Sequence, residues 1–183
     1  MDRLLGYCAA PRRGLYPPET RGVGAAADVA ANPTVFGGLL RREAPVSVLF
    51  EDAEYFAFRN VKPYARLAGL VIPKRRLYQD PDALARAELP LLEDLRAIAL
   101  KIVAREEPAA FARGDFLLRF HRRPFNSVDH LHLHVLAPAS EAPLWTSVVF
   151  FTGGLHAAAL DAVLDRVRRE PAGDDPPGGA DVA

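Results

Sequence analysis

The sequence predicts an α+β domain built on a mostly antiparallel sheet of about five strands, with one long helix and a C-terminal helix. Three observations carry this expectation. Short apolar, β-prone runs recur between turn signals. One long stripe, Leu91, Leu92, Leu95, Ile98, Ala99, Ile102 and Val103, has the spacing of a single helical face. The stretch His130-Leu131-His132-Leu133-His134-Val135-Leu136 alternates imidazole with aliphatic side chains, which is the period of a strand.

Met1 to Asn32 is rich in Arg, Ala, Gly and Pro and reads as a loosely ordered N-terminal extension. The folded domain is expected over 33–169, followed by a disordered tail over 170–183. Val46–Phe50 and Glu54–Arg59 read as two strands joined by a turn at Glu51-Asp52-Ala53. Leu67–Ile72 is a third strand, stopped by Pro73. Asp80-Pro81 has the form of an N-cap with proline at the first helical position. Pro90 then marks a break, or a second helix start, ahead of the long apolar stripe. Asp115–His121 and His130–Ala137 are the fourth and fifth strands, the latter closed by Pro138. Trp145–Phe151 reads as a further strand ended by Gly153-Gly154, with Trp145 a packing residue. Leu160, Val163, Leu164 and Val167 mark a terminal helix, with His156 as a surface residue at its start.

Composition narrows the function. A chain of 183 residues that is half hydrophobic can bury one substantial core. Its 23 Lys and Arg balance 23 Asp and Glu, so charge gives no argument for a nucleic-acid or membrane partner. No apolar run is long enough to span a bilayer. Cys8, the single cysteine, excludes an intramolecular disulfide framework and a cysteine-rich zinc finger, and fits a reducing compartment. Met1–Ala10 lacks the apolar stretch of a secretory signal. Asp2, Glu19 and Asp28 count against an organelle transit peptide. Cytoplasm or nucleus is the expected location, with organelle targeting by the N-terminal extension as the weaker alternative.

The histidines admit three readings. On a strand, side chains at i, i+2 and i+4 share one face, so three imidazoles would lie together there. A purely structural role is one reading, although clustered imidazoles need partners or solvent. A zinc site with a fourth position open for water is the second. In the third, a neutral imidazole attacks phosphorus and forms a covalent phospho-histidine, with its neighbours orienting it and meeting the phosphate charge.

The pattern of histidines separated by single aliphatic residues resembles the signature of the histidine triad family of nucleotide hydrolases and transferases. Thr34-Val35-Phe36-Gly37, Phe50-Glu51-Asp52, Ala57-Phe58, Pro63 and Leu70-Val71-Ile72-Pro73-Lys74 follow in the family's order. The run from Phe120 through Ser127 to Pro138 is similar to the third histidine triad nucleotide-binding subgroup, an adenosine phosphoramidase type related to aprataxin. The resemblance covers about Asn32 to Pro138.

It implies a fold of this family and hydrolysis of AMP conjugates, such as adenosine 5′-phosphoramidates and aminoacyl-adenylate-like substrates. His132 would be the nucleophile on the α-phosphorus. His134 would contact the phosphate or leaving group, and His130 would orient and polarise His132. Ser127 matches a phosphate-contacting serine, although it also reads as a turn residue. Val35, Phe36 and Leu39 match the walls of an adenine pocket, or ordinary core. Asn60-Val61 falls where the family carries a ribose-binding acid followed by an aliphatic residue. An amide there lacks the charge-assisted strength of a carboxylate.

Two departures stand out. Ala68 occupies the place of a family histidine, and Arg75-Arg76 replaces another after Pro73-Lys74. His121 could supply support from a neighbouring strand, or be a solvated edge residue. Lys74, Arg75 and Arg76 read either as a patch facing a polyphosphate or an acidic partner, or as a solvated loop. The resemblance implies a purine nucleotide substrate and a homodimer; no metal or cofactor is expected, and composition points to no membrane partner and disfavours nucleic acid. The alternatives are a hydrolase of diadenosine polyphosphates or adenylated DNA within the same fold, or a non-catalytic nucleotide-binding scaffold.

Overall fold

The computed structural model describes residues 25–62, 64–75, 80–143 and 156–171, with side chains from Asp28 onward. The expectations for the extension before residue 25, Pro63, Arg76, the Trp145–Phe151 strand and the tail beyond 171 lie outside the described residues. Two short helices, α1 (Ala25–Ala31) and α2 (Val35–Leu40), come first. Strands β1 (Val48–Glu51), β2 (Tyr55–Arg59) and β3 (Leu67–Pro73) follow. Helices α3 (Leu89–Glu106) and α4 (Pro108–Arg113) lead to β4 (Leu117–His121) and β5 (Leu133–Ala137). A short β6 (Ala157–Ala159) precedes α5 (Leu160–Arg169). The six strands form one antiparallel sheet in the order β1-β2-β3-β5-β4-β6.

The apolar period explains the layers. The α3 stripe is buried as expected, together with Leu160, Val163, Leu164 and Val167 of α5. Both helices pack on the sheet face that carries Ala57, Val71, Leu131, Leu133 and Val135. Full burial of a Leu or Ile side chain contributes about 1.5–3 kcal/mol. Leu92, Leu95, Ile102, Leu131 and Leu133 are all essentially inaccessible, so this layer holds the domain together. The opposite face carries Phe56, Phe58, Leu70 and Ile72, covered by Phe36 from α2. Strand β3 is buried along its whole length, as suits a strand covered on both sides.

Several boundaries differ from the sequence expectation. The extension is not loose up to Asn32: residues Ala25–Ala31 form α1, and Asp28 and Asn32 are buried. Polar anchors hold this segment rather than an apolar stripe, so hydrophobic periodicity does not reveal it. Asp80-Pro81 opens only a short 3₁₀ turn over Pro81–Ala83, with the Asp80 side chain accepting from the Asp82 amide. Pro90 resolves as a helix start, because the first turn of α3 needs no amide donor there. Gly114 ends α4 at a φ of 67°, a left-handed cap that favours glycine.

At the other end, His156 does not begin the terminal helix. Ala157–Ala159 pair with His121, Phe120 and Arg119 as a sixth strand. The ladder groups of β4 outweigh the helical preference of an alanine run. The β5 ladder starts at Leu133 rather than His130, yet the alternation persists upstream. Leu131 joins the α3 layer, while the His132 ring meets Phe36 on the other side.

Candidate active site

The triad lies where β5 enters the sheet, beneath α2. His130, His132 and His134 are all buried. The backbone carbonyl of His130 lies 2.7 Å from Nδ1 of His132. A carbonyl oxygen only accepts, so His132 Nδ1 carries the proton and its Nε2 keeps a lone pair. His130 has the reverse tautomer. Its Nε2–H donates to the Pro73 carbonyl at 2.7 Å, leaving Nδ1 to accept from the Asn32 amide at 2.9 Å. The amide orientation is also fixed, because Asn32 Oδ1 accepts from both the Thr34 N–H and the Thr34 hydroxyl. Phe36 presents its ring edge-on to His130 and His132.

A fourth imidazole joins the cluster. His121 is buried, not a solvated edge residue, and its ring centre is 4.3 Å from that of His134. His132 and His134 have ring centres 5.1 Å apart, and Tyr64 approaches His134 edge-on. Burial sets their protonation. It holds His132 below the ordinary imidazole value, against the opposing pull of the His130 carbonyl. Burial also pushes His121 down to about 4, assisted by charge on His132, Lys62 and His156. His134 is held well below 6.5 by burial first, then by His132, His121 and Lys62.

The same rings are a test of metal fit. A ring nitrogen from each of His121, His132 and His134 lies within 4.8 Å of the other two. Tetrahedral zinc held through bonds of about 2.0–2.1 Å spaces its donors about 3.4 Å apart, inside that limit. The three rings could therefore take up a metal ion, and the Lys62 charge that acts on His121 and His134 opposes it.

The other expected site residues are spread more widely. Ser127 is exposed on the loop before the triad. Val35 is exposed at the start of α2, Phe36 is buried against the triad, and Leu39 packs beside the Phe56–Phe58 cluster. Asn60 follows β2, where its side-chain oxygen accepts from the Lys62 amide. Val61 is 95% exposed. Among the described residues, no ring contact or hydrogen bond joins Ser127, Asn60 or Val61 to the imidazoles. Ala68 packs with Tyr64 and Leu136. Lys74 pairs with Glu51, and Arg75 is no solvated loop residue: it is buried against Asp28. His156 is half-buried rather than a surface residue, its ring tilted at 59° to that of Phe125 with ring centres 4.1 Å apart. The residue missed at the sequence level is Asn32. Its only local signal is Asn32-Pro33-Thr34 ahead of α2, a pattern that suits a side-chain turn.

Residues 33–148 match the family model described as scavenger mRNA decapping enzyme, C-term binding. The bifunctional adenosine 5′-phosphosulfate phosphorylase/adenylylsulfatase HINT4 of Arabidopsis thaliana is 29% identical over 137 residues, 73% of this chain and 90% of the relative. The adenosine 5′-monophosphoramidase HINT3 of Mus musculus is 28% identical over 137 residues, 74% of this chain and 81% of that protein. Among solved structures, a HIT family hydrolase from Legionella pneumophila Philadelphia 1 is 28% identical. It superposes with a TM-score of 0.50, covering 56% of this chain and 90% of its own. The chain belongs to the decapping-enzyme C-terminal family and, with it, to the histidine triad (HIT) family. It is a hydrolase of the HIT branch that includes adenosine monophosphoramidases.

Proposed function

We propose that the protein hydrolyses AMP conjugates through a nucleotidyl-His132 intermediate and releases AMP. One observation carries the reading: the His130 carbonyl accepts a hydrogen bond from the Nδ1–H of His132 and leaves the Nε2 lone pair to attack. Burial supports it by keeping that imidazole neutral and nucleophilic at pH 7. In the first step Nε2 bonds to the α-phosphorus and the phosphorus–nitrogen bond breaks. The amine leaves with a proton drawn from the site or solvent. In the second step water attacks phosphorus, the P–Nε2 bond breaks with its electron pair returning to Nε2, and the proton lost by water passes to solvent, leaving AMP and neutral His132.

His134 would meet the phosphate or leaving group; its ring centre is 5.1 Å from that of His132 and 4.3 Å from that of His121. Phe36 offers an apolar wall for adenine, with Val35 and Leu39 on the same helix. Ser127, exposed on the loop before the triad, is the hydroxyl we assign to the phosphate, and Asn60 and Val61 are assigned to the ribose side. The phosphosulfate activity in the Arabidopsis relative's name makes sulfate a second leaving group for the same site. The test is AMP release from adenosine 5′-phosphoramidate, a lysyl-AMP analogue, adenosine 5′-phosphosulfate and a diadenosine polyphosphate. Phosphoramidate turnover that disappears in His132→Ala supports the reading. AMP binding without hydrolysis of any of the four substrates rejects it in favour of a scaffold.

A further inference from the structure

We propose that Asn32 is a positioning residue for the histidine relay, held in place by helix α1. The inference rests on the nucleophilic role of His132. Asn32 is 1% exposed and 98 residues from His130 in sequence. Its oxygen is committed to Thr34, so only its NH₂ can face His130 Nδ1. That donor forbids a proton on Nδ1 of His130 and places the ring proton on Nε2, facing the Pro73 carbonyl. The ring is thereby gripped from both sides. The His130 carbonyl in turn grips Nδ1 of His132. Asn32 touches no reacting atom and acts through His130.

The surroundings hold Asn32 firmly. Arg41 donates to the Asn32 carbonyl and to the Val29 carbonyl, each at 2.9 Å, tying α1 to α2. Arg75, two residues beyond the Pro73 carbonyl that receives His130, pairs with Asp28 of α1 at 3.3 Å. Both ends of the relay are therefore connected to the same helix. Gly37 makes the approach sterically feasible, because a Cβ there would fall 2.1 Å from the Asn32 carbonyl oxygen.

The rival role is a simple turn cap for α2, and Asn32→Asp separates the two. A carboxylate still accepts from Thr34, but it offers His130 Nδ1 an acceptor where a donor stood. Ring ¹⁵N shifts should show wild-type His130 protonated at Nε2 and His132 at Nδ1. In Asn32→Asp, His130 should gain a proton at Nδ1, and kcat should fall about tenfold to a hundredfold with KM changed far less. Wild-type shifts with the opposite His130 tautomer overturn the proposal, and that spectrum needs no variant. A folded Asn32→Asp protein with unchanged ring shifts and kcat also overturns it. The ring shifts are independent of turnover, so failure of the His132 mechanism is read separately.

Discussion

Nδ1 of His132 lies 2.7 Å from the backbone carbonyl of His130, two residues earlier. This contact fixes the tautomer of a buried imidazole from the main chain, which no side-chain substitution at position 130 can remove directly. A His130→Ala protein should therefore keep the carbonyl but lose the ring that anchors it to Pro73 and Asn32. Its kcat should fall about tenfold or more, whereas His132→Ala should lose turnover completely. Steady-state kinetics of the two variants check this; equal, small losses in both contradict it.

The pH–rate profile follows from burial. Protonation of His132 Nε2 blocks attack, and burial holds that group below the ordinary value of 6.5. The acid limb of kcat/KM for the free enzyme should therefore lie below pH 6.5, with activity retained through the slightly acid range. An acid limb above 6.5 contradicts a buried neutral nucleophile.

The fold should weaken in mild acid. His121, His132 and His134 are all pushed down in the folded protein, His121 to about 4. The unfolded chain takes up protons through about pH 6.5 while the folded chain does not. Stability is complete above that range and declines as pH falls from about 6.5 toward 4. Carboxylates held low, such as Glu51 and Asp115, act in the more acidic window below their own ordinary values. Urea midpoints between pH 7.5 and 5 test this, with a shallower decline expected for His121→Gln. Equal slopes in both proteins contradict it.

Crowding at α2 gives a steric prediction. Gly37→Ala would drive a Cβ into Asn32, 2.1 Å from its carbonyl oxygen and 2.8 Å from its Cβ. The cost should be about 1–3 kcal/mol of stability, as for other overpacked sites. Turnover should fall with it, because the displaced backbone carries the Asn32 amide. Denaturant unfolding and kcat on one preparation decide the matter, and a neutral substitution contradicts the packing described.

Metal should inhibit rather than support the reaction. A cation drawn in by His121, His132 and His134 would take the Nε2 lone pair needed for attack. A chelator should leave turnover unchanged, and added Zn²⁺ should lower it. Activity abolished by chelation and restored by zinc contradicts the metal-free mechanism.

The layers were legible because the amphipathic period of α3 and the strand alternation of 130–136 both depend on burial of one face. The imidazole cluster followed from that alternation, even though regular pairing begins only at Leu133. His121 could be placed only as a neighbour on another strand, since its burial depends on the β4–β5 and β4–β6 pairings. Asn32 and Asp28 were not legible as site-supporting residues. Their partners, His130 and Arg75, are distant in sequence, and polar long-range contacts leave no periodic trace. The β6 strand escaped notice because three alanines favour helix until a neighbouring edge claims their backbone.

The central claim is most directly tested by trapping the intermediate. Wild-type protein mixed with an AMP conjugate, quenched within the first turnovers and analysed by peptide mass spectrometry, should carry an adenylyl group on His132. The group should be absent from His132→Ala, which should release no AMP. An adenylyl group on another residue, or wild-type turnover in His132→Ala, would contradict the account.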